Sequence, residues 1–229
     1  MAKPIRISGD VDLEKLLKRL SNDIVEAPAM LRLHKTLWEK FGEYQREVNQ
    51  SGFFWSFAAT GILEGGLLRI ARIYDQEKSA LSLQTLLLTI QANPHLFDDS
   101  AVRKRVNPQY AEIMIPGNHL PAPETIQQDL ILVSHRDPLV KKIVVWRNNL
   151  GAHVSPKRIL NVPSPDEEGV TREEAFMLCT RAFEIFNRYT QLFHATTTST
   201  LIMGEDGSAH YVFKYLRMGL EAYDRQFEK

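Results

Sequence analysis

An arginine, an amide and a histidine fall within seven residues in the stretch Trp146-Arg147-Asn148-Asn149-Leu150-Gly151-Ala152-His153. Arginine carries a permanently charged planar fork that matches phosphate oxygens, and histidine titrates near neutrality. Such a pair can stabilise a phosphorane-like transition state and move a proton without a metal.

Spacing alone does not single out this pair, because Arg188 and His194 are separated by the same interval. That second pair lies inside a long amphipathic helix, with Tyr189 rather than an amide after the arginine, and reads as structural. Around the first pair the context differs. Gly151 and Ala152 leave room beside His153, and from His135 to Arg158 six Lys or Arg stand against one Asp. The whole chain is neutral, with 28 basic and 28 acidic residues, so any nucleic-acid contact must use a local patch of this kind. Lys141, Lys142, Lys157 and Arg158 are its candidate backbone-binding residues.

Other chemistry-bearing residues read as structural. The one cysteine, Cys179, sits in a helical seam without a basic cluster and reads as a packed thiol; it excludes a disulfide framework and a multi-cysteine zinc site. The acidic runs Asp98-Asp99 and Asp166-Glu167-Glu168 read as caps or loop charge, so neither a metal site nor a cofactor is expected. Trp146 adjoins the arginine and reads as a helix anchor before a base-stacking residue. The N-terminus lacks a signal-peptide core and no window reaches the 18 apolar residues of a spanning helix, so the expectation is a soluble cytoplasmic protein.

The elements that must carry these residues are helical throughout. Leu13, Leu16, Leu17, Leu20 and Ile24 make a first amphipathic helix with Asp10 as its cap, and Pro28 is expected to end it. A second series from Met30 to Val48 stops at Ser51-Gly52. Phe53 to Tyr74 is apolar almost all round and is expected to be central and buried, with Ser56, Thr60, Glu64 and Asp75 forming one polar stripe that wants a polar partner. A short helix follows over Ser79 to Ile90, then a proline-rich loop over 107 to 123, and another helix from Glu124 to Val133. Asp137-Pro138 is a restart signal for the helix that carries Arg147. Thr171 and Glu174 form a capping box opening a long helix with the seam Phe176, Cys179, Phe183, Phe186, Thr190 and Phe193. After a turn at Gly204 to Gly207, Val212, Leu216, Leu220, Tyr223 and Phe227 mark a terminal helix. No strand pattern and no internal repeat appear.

Arg-Asn followed by four residues and His, at a helix end in an all-helical chain, resembles the signature of the HEPN superfamily. Upstream, Leu68-Arg69-Ile70-Ala71-Arg72-Ile73-Tyr74-Asp75 followed by Ser82-Leu83-Gln84-Thr85-Leu86 is similar to its AbiU-like branch, associated with abortive phage infection. The resemblance covers residues about 50 to 200. It implies an all-α, HEPN-like helical bundle with extra helices, spanning 1–229 as one domain, with 1–50 an N-terminal helical extension packed on the bundle. It also implies a homodimer with two motifs facing one another, and a metal-independent ribonuclease leaving a cyclic phosphate and a free 5′-hydroxyl. The catalytic candidates are then Arg147 on the phosphate, His153 as base or acid at the ribose 2′-hydroxyl, and Asn148 orienting substrate or histidine.

Helix geometry sets a condition on that site. On an unbroken helix Arg147 and His153 point about 120° apart and lie ~9 Å apart along the axis, too far to grip one phosphate. Either the helix ends at Gly151 and His153 curls back, or Arg147 of one subunit meets His153 of another. Glu64, Arg72 and Asp75 are supporting candidates: Glu64 and Asp75 orient Arg147, or they form a plain salt bridge to Arg72 or another core partner. RNA, a second copy and an antitoxin or regulatory protein are the expected partners. The competing readings are a non-catalytic HEPN module, served or modified by a nucleotidyltransferase, and a helical scaffold.

Overall fold

The computed structural model describes residues 2–106, 119–148, 169–202 and 205–227. Among them nine α-helices, one 3₁₀ turn and a π-helical turn at 147–148 account for the regular structure, with no strand. They are α1 (Asp10–Glu43), α2 (Gln45–Asn49), α3 (Gly52–Ile73), α4 (Leu83–Ala92), the 3₁₀ turn Pro94–Phe97, α5 (Asp99–Arg105), α6 (Pro123–Leu132), α7 (Pro138–Trp146), α8 (Arg172–His194) and α9 (Glu205–Phe227).

Two long helices, α1 and α3, share the most extensive packing and run antiparallel: Asp23 meets Arg69 and Arg72 near the end of α3, while Phe41 meets Trp55 near its start. Gly65 and Gly66 permit the close approach between them. A Cβ on Gly66 would stand 3.3 Å from Leu31 Cδ2 and 3.5 Å from the Ala27 carbonyl, and one on Gly65 would collide with the tip of Met30. Leu13, Leu17, Leu20, Ile24 and Leu31 of α1 join Ile70 and Ile73 of α3, Leu86 and Ile90 of α4, Val140 and Ile143 of α7, and Leu178, Ile185 and Phe193 of α8 in one main core.

Pro28 does not end α1, contrary to expectation: the helix runs through it to Glu43. Proline removes one backbone donor and costs about 3 kcal/mol in a helix interior. Buried Ile24, Ala27, Leu31 and Leu37 continue the same apolar stripe on both sides of it, and that burial outweighs the cost. Asp10 is the first helical residue and not the cap; Asp12 reaches back to accept from the Ser8 N–H at 3.0 Å.

The expectation of a wholly buried third helix is also corrected. Its C-terminal half is core, but Phe53 is 79% exposed, and Phe54 and Phe57 are exposed as well. This N-terminal half protrudes into a second, smaller aromatic cluster where Phe213 of α9 stacks between Tyr44 and Trp55. The terminal helix buries Ala209 and Phe213, while Val212, Leu216, Tyr223 and Phe227 are exposed, so its inward face is set by the aromatic pocket and not by the longest apolar stripe. Boundaries elsewhere shift slightly: α4 starts at Leu83 because Ser82 and Thr85 form its capping box. Among the described residues no helix is long and apolar enough to cross a membrane. Of the loop expected over 107–123, residues 107–118 lie outside the described residues; the turn expected at Gly204 to Gly207 is corrected, since α9 is helical from Glu205 through Gly207, with Gly204 itself outside the described residues.

Candidate active site

Helix α7 starts as its sequence dictates. Asp137 Oδ1 accepts from the Leu139 and Val140 N–H groups at 3.0 and 3.1 Å, and Pro138 occupies the first helical position. Arg181 of α8 binds the same carboxylate at 2.9 Å, tying the helix start to its neighbour. Val140 and Ile143 are fully buried and Trp146 packs against the main core, so the far end of α7 is fixed in position. Arg147 follows in helical conformation, with its N–H bonded to the Ile143 and Val144 carbonyls.

The facing wall is the segment after α3. Tyr74 is fully buried and donates its hydroxyl to the Leu178 carbonyl at 2.8 Å. Gln76 Nε2 donates to the Tyr74 carbonyl at 2.8 Å and the Val133 carbonyl at 3.0 Å. Between these anchors Asp75 turns its side chain toward α7, with Oδ1 accepting from the Glu77 N–H at 2.9 Å and Oδ2 2.5 Å from Arg147 Nη1. Both residues of the pair are mostly covered. Asp75 follows the C-terminal end of α3, where the helix dipole disfavours a carboxylate, and the Arg147 cation offsets that cost.

Asn148 is exposed, and its Oδ1 accepts from Arg147 Nε at 3.2 Å. The guanidinium is therefore held by two side chains with its plane oriented, and the Asn148 amide is aimed by Arg147. His153, Lys157 and Arg158, with Gly151 on which the helix-end alternative depends, lie outside the described residues. Lys141 is exposed on α7. Lys142 is committed elsewhere: its Nζ is 2.6 Å from Glu174 Oε1, and that bond, followed by the Thr171 N–H, holds the Glu174 carboxyl below its usual range. It therefore braces the capping box of α8.

Of the supporting residues, Asp75 meets Arg147, whereas Arg72 and Glu64 do not. Glu64 is exposed on α3, roughly 16 Å along the axis from Asp75 at 1.5 Å per residue. Arg72 binds Asp23, with Nε at 3.2 Å and Nη2 at 2.8 Å. Asp23 also accepts from Arg19 at 3.1 Å and Arg69 at 2.7 Å, and Arg69 pairs further with Glu26. Burial would raise the Asp23 pKa, but the hydrogen bonds of Arg72 and Arg69 and the charges of Arg72 and Arg19 outweigh it and hold the carboxyl below the ordinary value. This cluster was missed in sequence. Its signal was a carboxylate on the apolar face of α1, between Leu20 and Ala27 at spacings of three and four.

The second arginine and histidine pair is structural in its contacts. Arg188 Nη1 binds both oxygens of buried Asp129 at 2.5 Å, and the Tyr189 hydroxyl donates to the same carboxylate at 2.8 Å. His194 lies beside the Phe193 ring, and burial lowers its pKa. Cys179 is buried, with its thiol pushed up to about 12 by burial. No group of three or more His, Cys, Asp or Glu suited to holding a metal ion occurs among the described residues.

Comparison with known families matches residues 10–212 to the HEPN family model described as AbiU2. No curated protein matches the chain, and no solved structure does. The match runs from the first residue of α1 into α9 and includes Asp23, Asp75, Arg147 and Asn148; the chain belongs to the AbiU2 family of HEPN proteins.

Proposed function

We propose that the chain is a metal-independent endoribonuclease of the HEPN defence type, cutting RNA through attack of the ribose 2′-hydroxyl. The observation that carries this reading is the placement of Arg147: a guanidinium in the π-helical turn directly after α7, held by Asp75 and aligned with Asn148. A fixed guanidinium stabilises charge developing on a phosphate without reorganising during the reaction. His153 abstracts the 2′-hydroxyl proton or protonates the leaving 5′-oxygen, in the same subunit or across a homodimer. Asn148 positions the ribose or the histidine. Cleavage would leave a 2′,3′-cyclic phosphate and a 5′-hydroxyl, with a regulatory partner or antitoxin restraining the enzyme.

The Asp75 pair is equally what a structural arginine makes, so the test reads chemistry and stability together. Wild type, Arg147→Ala and His153→Ala are incubated with RNA in the presence of EDTA, and their melting temperatures are measured in parallel. Cutting by wild type, lost in both variants while they remain folded, supports the enzyme. No cutting by wild type, with Arg147→Ala merely less stable, sinks it in favour of the scaffold. Solution mass tests the dimer: a strictly monomeric active enzyme would exclude a composite site.

A further inference from the structure

A cleft of about 230 Å³ shares Asp75 with the Arg147 site. Arg19, Arg72, Asp23 and Asp75 line it, with Leu20, Ala80 and Leu81 as its apolar wall. Asp75 therefore belongs to two places at once, lining the cleft and binding Arg147.

The charge arrangement is unusual for a simple core ion pair. Asp23 is buried to 3% exposure and accepts from three arginines. Glu26 binds Arg69 and its charge also acts on Arg72, and Asp75 is matched by Arg147, so Arg19, Arg69 and Arg72 share Asp23 and Glu26. Both keep their side chains about half exposed, at 54% and 47%, with their guanidinium groups anchored from below. Anchored arginines lose little rotamer freedom when they bind an anion, and their fork suits phosphate oxygens. The apolar wall gives a sugar or base edge a surface to rest on.

We propose that Arg19 and Arg72 form a phosphate subsite that holds the RNA strand beside the phosphate gripped by Arg147. This rests on the ribonuclease reading, and it extends the RNA path onto α1 and the end of α3. Asp23 is a positioning residue for the two arginines and does not touch the strand.

The test measures binding of a fluorescently labelled 2′-O-methyl single strand, which cannot be cut through the 2′-hydroxyl, to wild type, Arg19→Gln and Arg19→Lys at several salt concentrations. Arg19 is exposed and Asp23 keeps Arg69 and Arg72 in the variants, so the fold should survive, as thermal melting will check. One lost phosphate contact should weaken binding about 3- to 10-fold and lower the salt slope by ~0.7 in Arg19→Gln, with Arg19→Lys retaining the wild-type slope. Equal affinity and slope in Arg19→Gln and wild type would overturn the subsite and leave the ribonuclease reading intact. Wild type that neither binds the strand nor cuts RNA would overturn both.

Discussion

Asp75 and Arg147 meet at 2.5 Å from opposite walls, one just past the end of α3 and the other at the end of α7. The pair links the helix carrying the catalytic candidates to the helix carrying the arginine cluster.

Replacing Asp75 with Asn removes the charge partner of Arg147 but keeps the size of the side chain. Loosening the guanidinium should slow RNA cleavage roughly 10- to 100-fold. Stability should fall by about 1–3 kcal/mol, since both side chains are mostly covered and the asparagine keeps an accepting oxygen for the guanidinium. Cleavage rates and chemical denaturation measured together check this; unchanged cleavage would mean that Asp75 does not position Arg147.

Asp23→Asn should be costlier to the fold, because three arginines then converge without a carboxylate. A loss of about 2–4 kcal/mol is expected, smaller than for a fully buried network because two of the arginines are half exposed. The Asp23 pKa is lowered in the folded protein, so its contribution is fully present above the unfolded aspartate value of about 3.9 and is lost as pH falls through the folded value. Denaturation curves against pH should show wild type and Asp23→Asn converging in that acidic window.

Arg188→Ala should cost about 3 kcal/mol, since it leaves buried Asp129 with Tyr189 alone of these two partners. Neither it nor His194→Ala should alter the cleavage rate per folded molecule. A selective loss of cleavage in His194→Ala would move the catalytic histidine to α8.

Phe213→Ala should remove about 3 kcal/mol or more by emptying the space between the Tyr44 and Trp55 rings. The change should loosen α9 first. Hydrogen exchange should show faster exchange in residues 205–227, with the core at Ile70 and Phe193 still protected.

Cys179 should resist thiol reagents in the native protein at pH ~8, because the thiolate is the reactive form and burial has pushed the pKa up to about 12. Labelling in urea but not in buffer is the expected pattern. Rapid native labelling would contradict the packing of α8.

Local signals were legible wherever one segment contained its own cause. The cap Asp137 with Pro138, the Thr171 and Glu174 capping box and the stripe of α8 each arise from residues within a turn or two of one another. Pro28 was misread because the local penalty is visible in sequence, while the burial that outweighs it comes from α3 and α8. The outer half of α3 was misread for the complementary reason. Its phenylalanines look like core, but the number of apolar residues in a helix does not say how much of it has neighbours.

By itself, then, the sequence determined that the chain is helical, that Arg147 and Asn148 follow the helix begun at Asp137-Pro138, and that Arg188 belongs to packing, because these follow from short-range periodicity and capping. Only tertiary structure decided that Asp75 meets Arg147, that Arg72 turns to Asp23, and that Lys142 serves Glu174. Each carboxylate had several basic residues within plausible reach. The antiparallel approach of α1 and α3, with the anchoring of Tyr74 and Gln76, selected Arg147 for Asp75 and gathered Arg19, Arg69 and Arg72 on Asp23 by bringing charges together at hydrogen-bonding distance in a partly desolvated place.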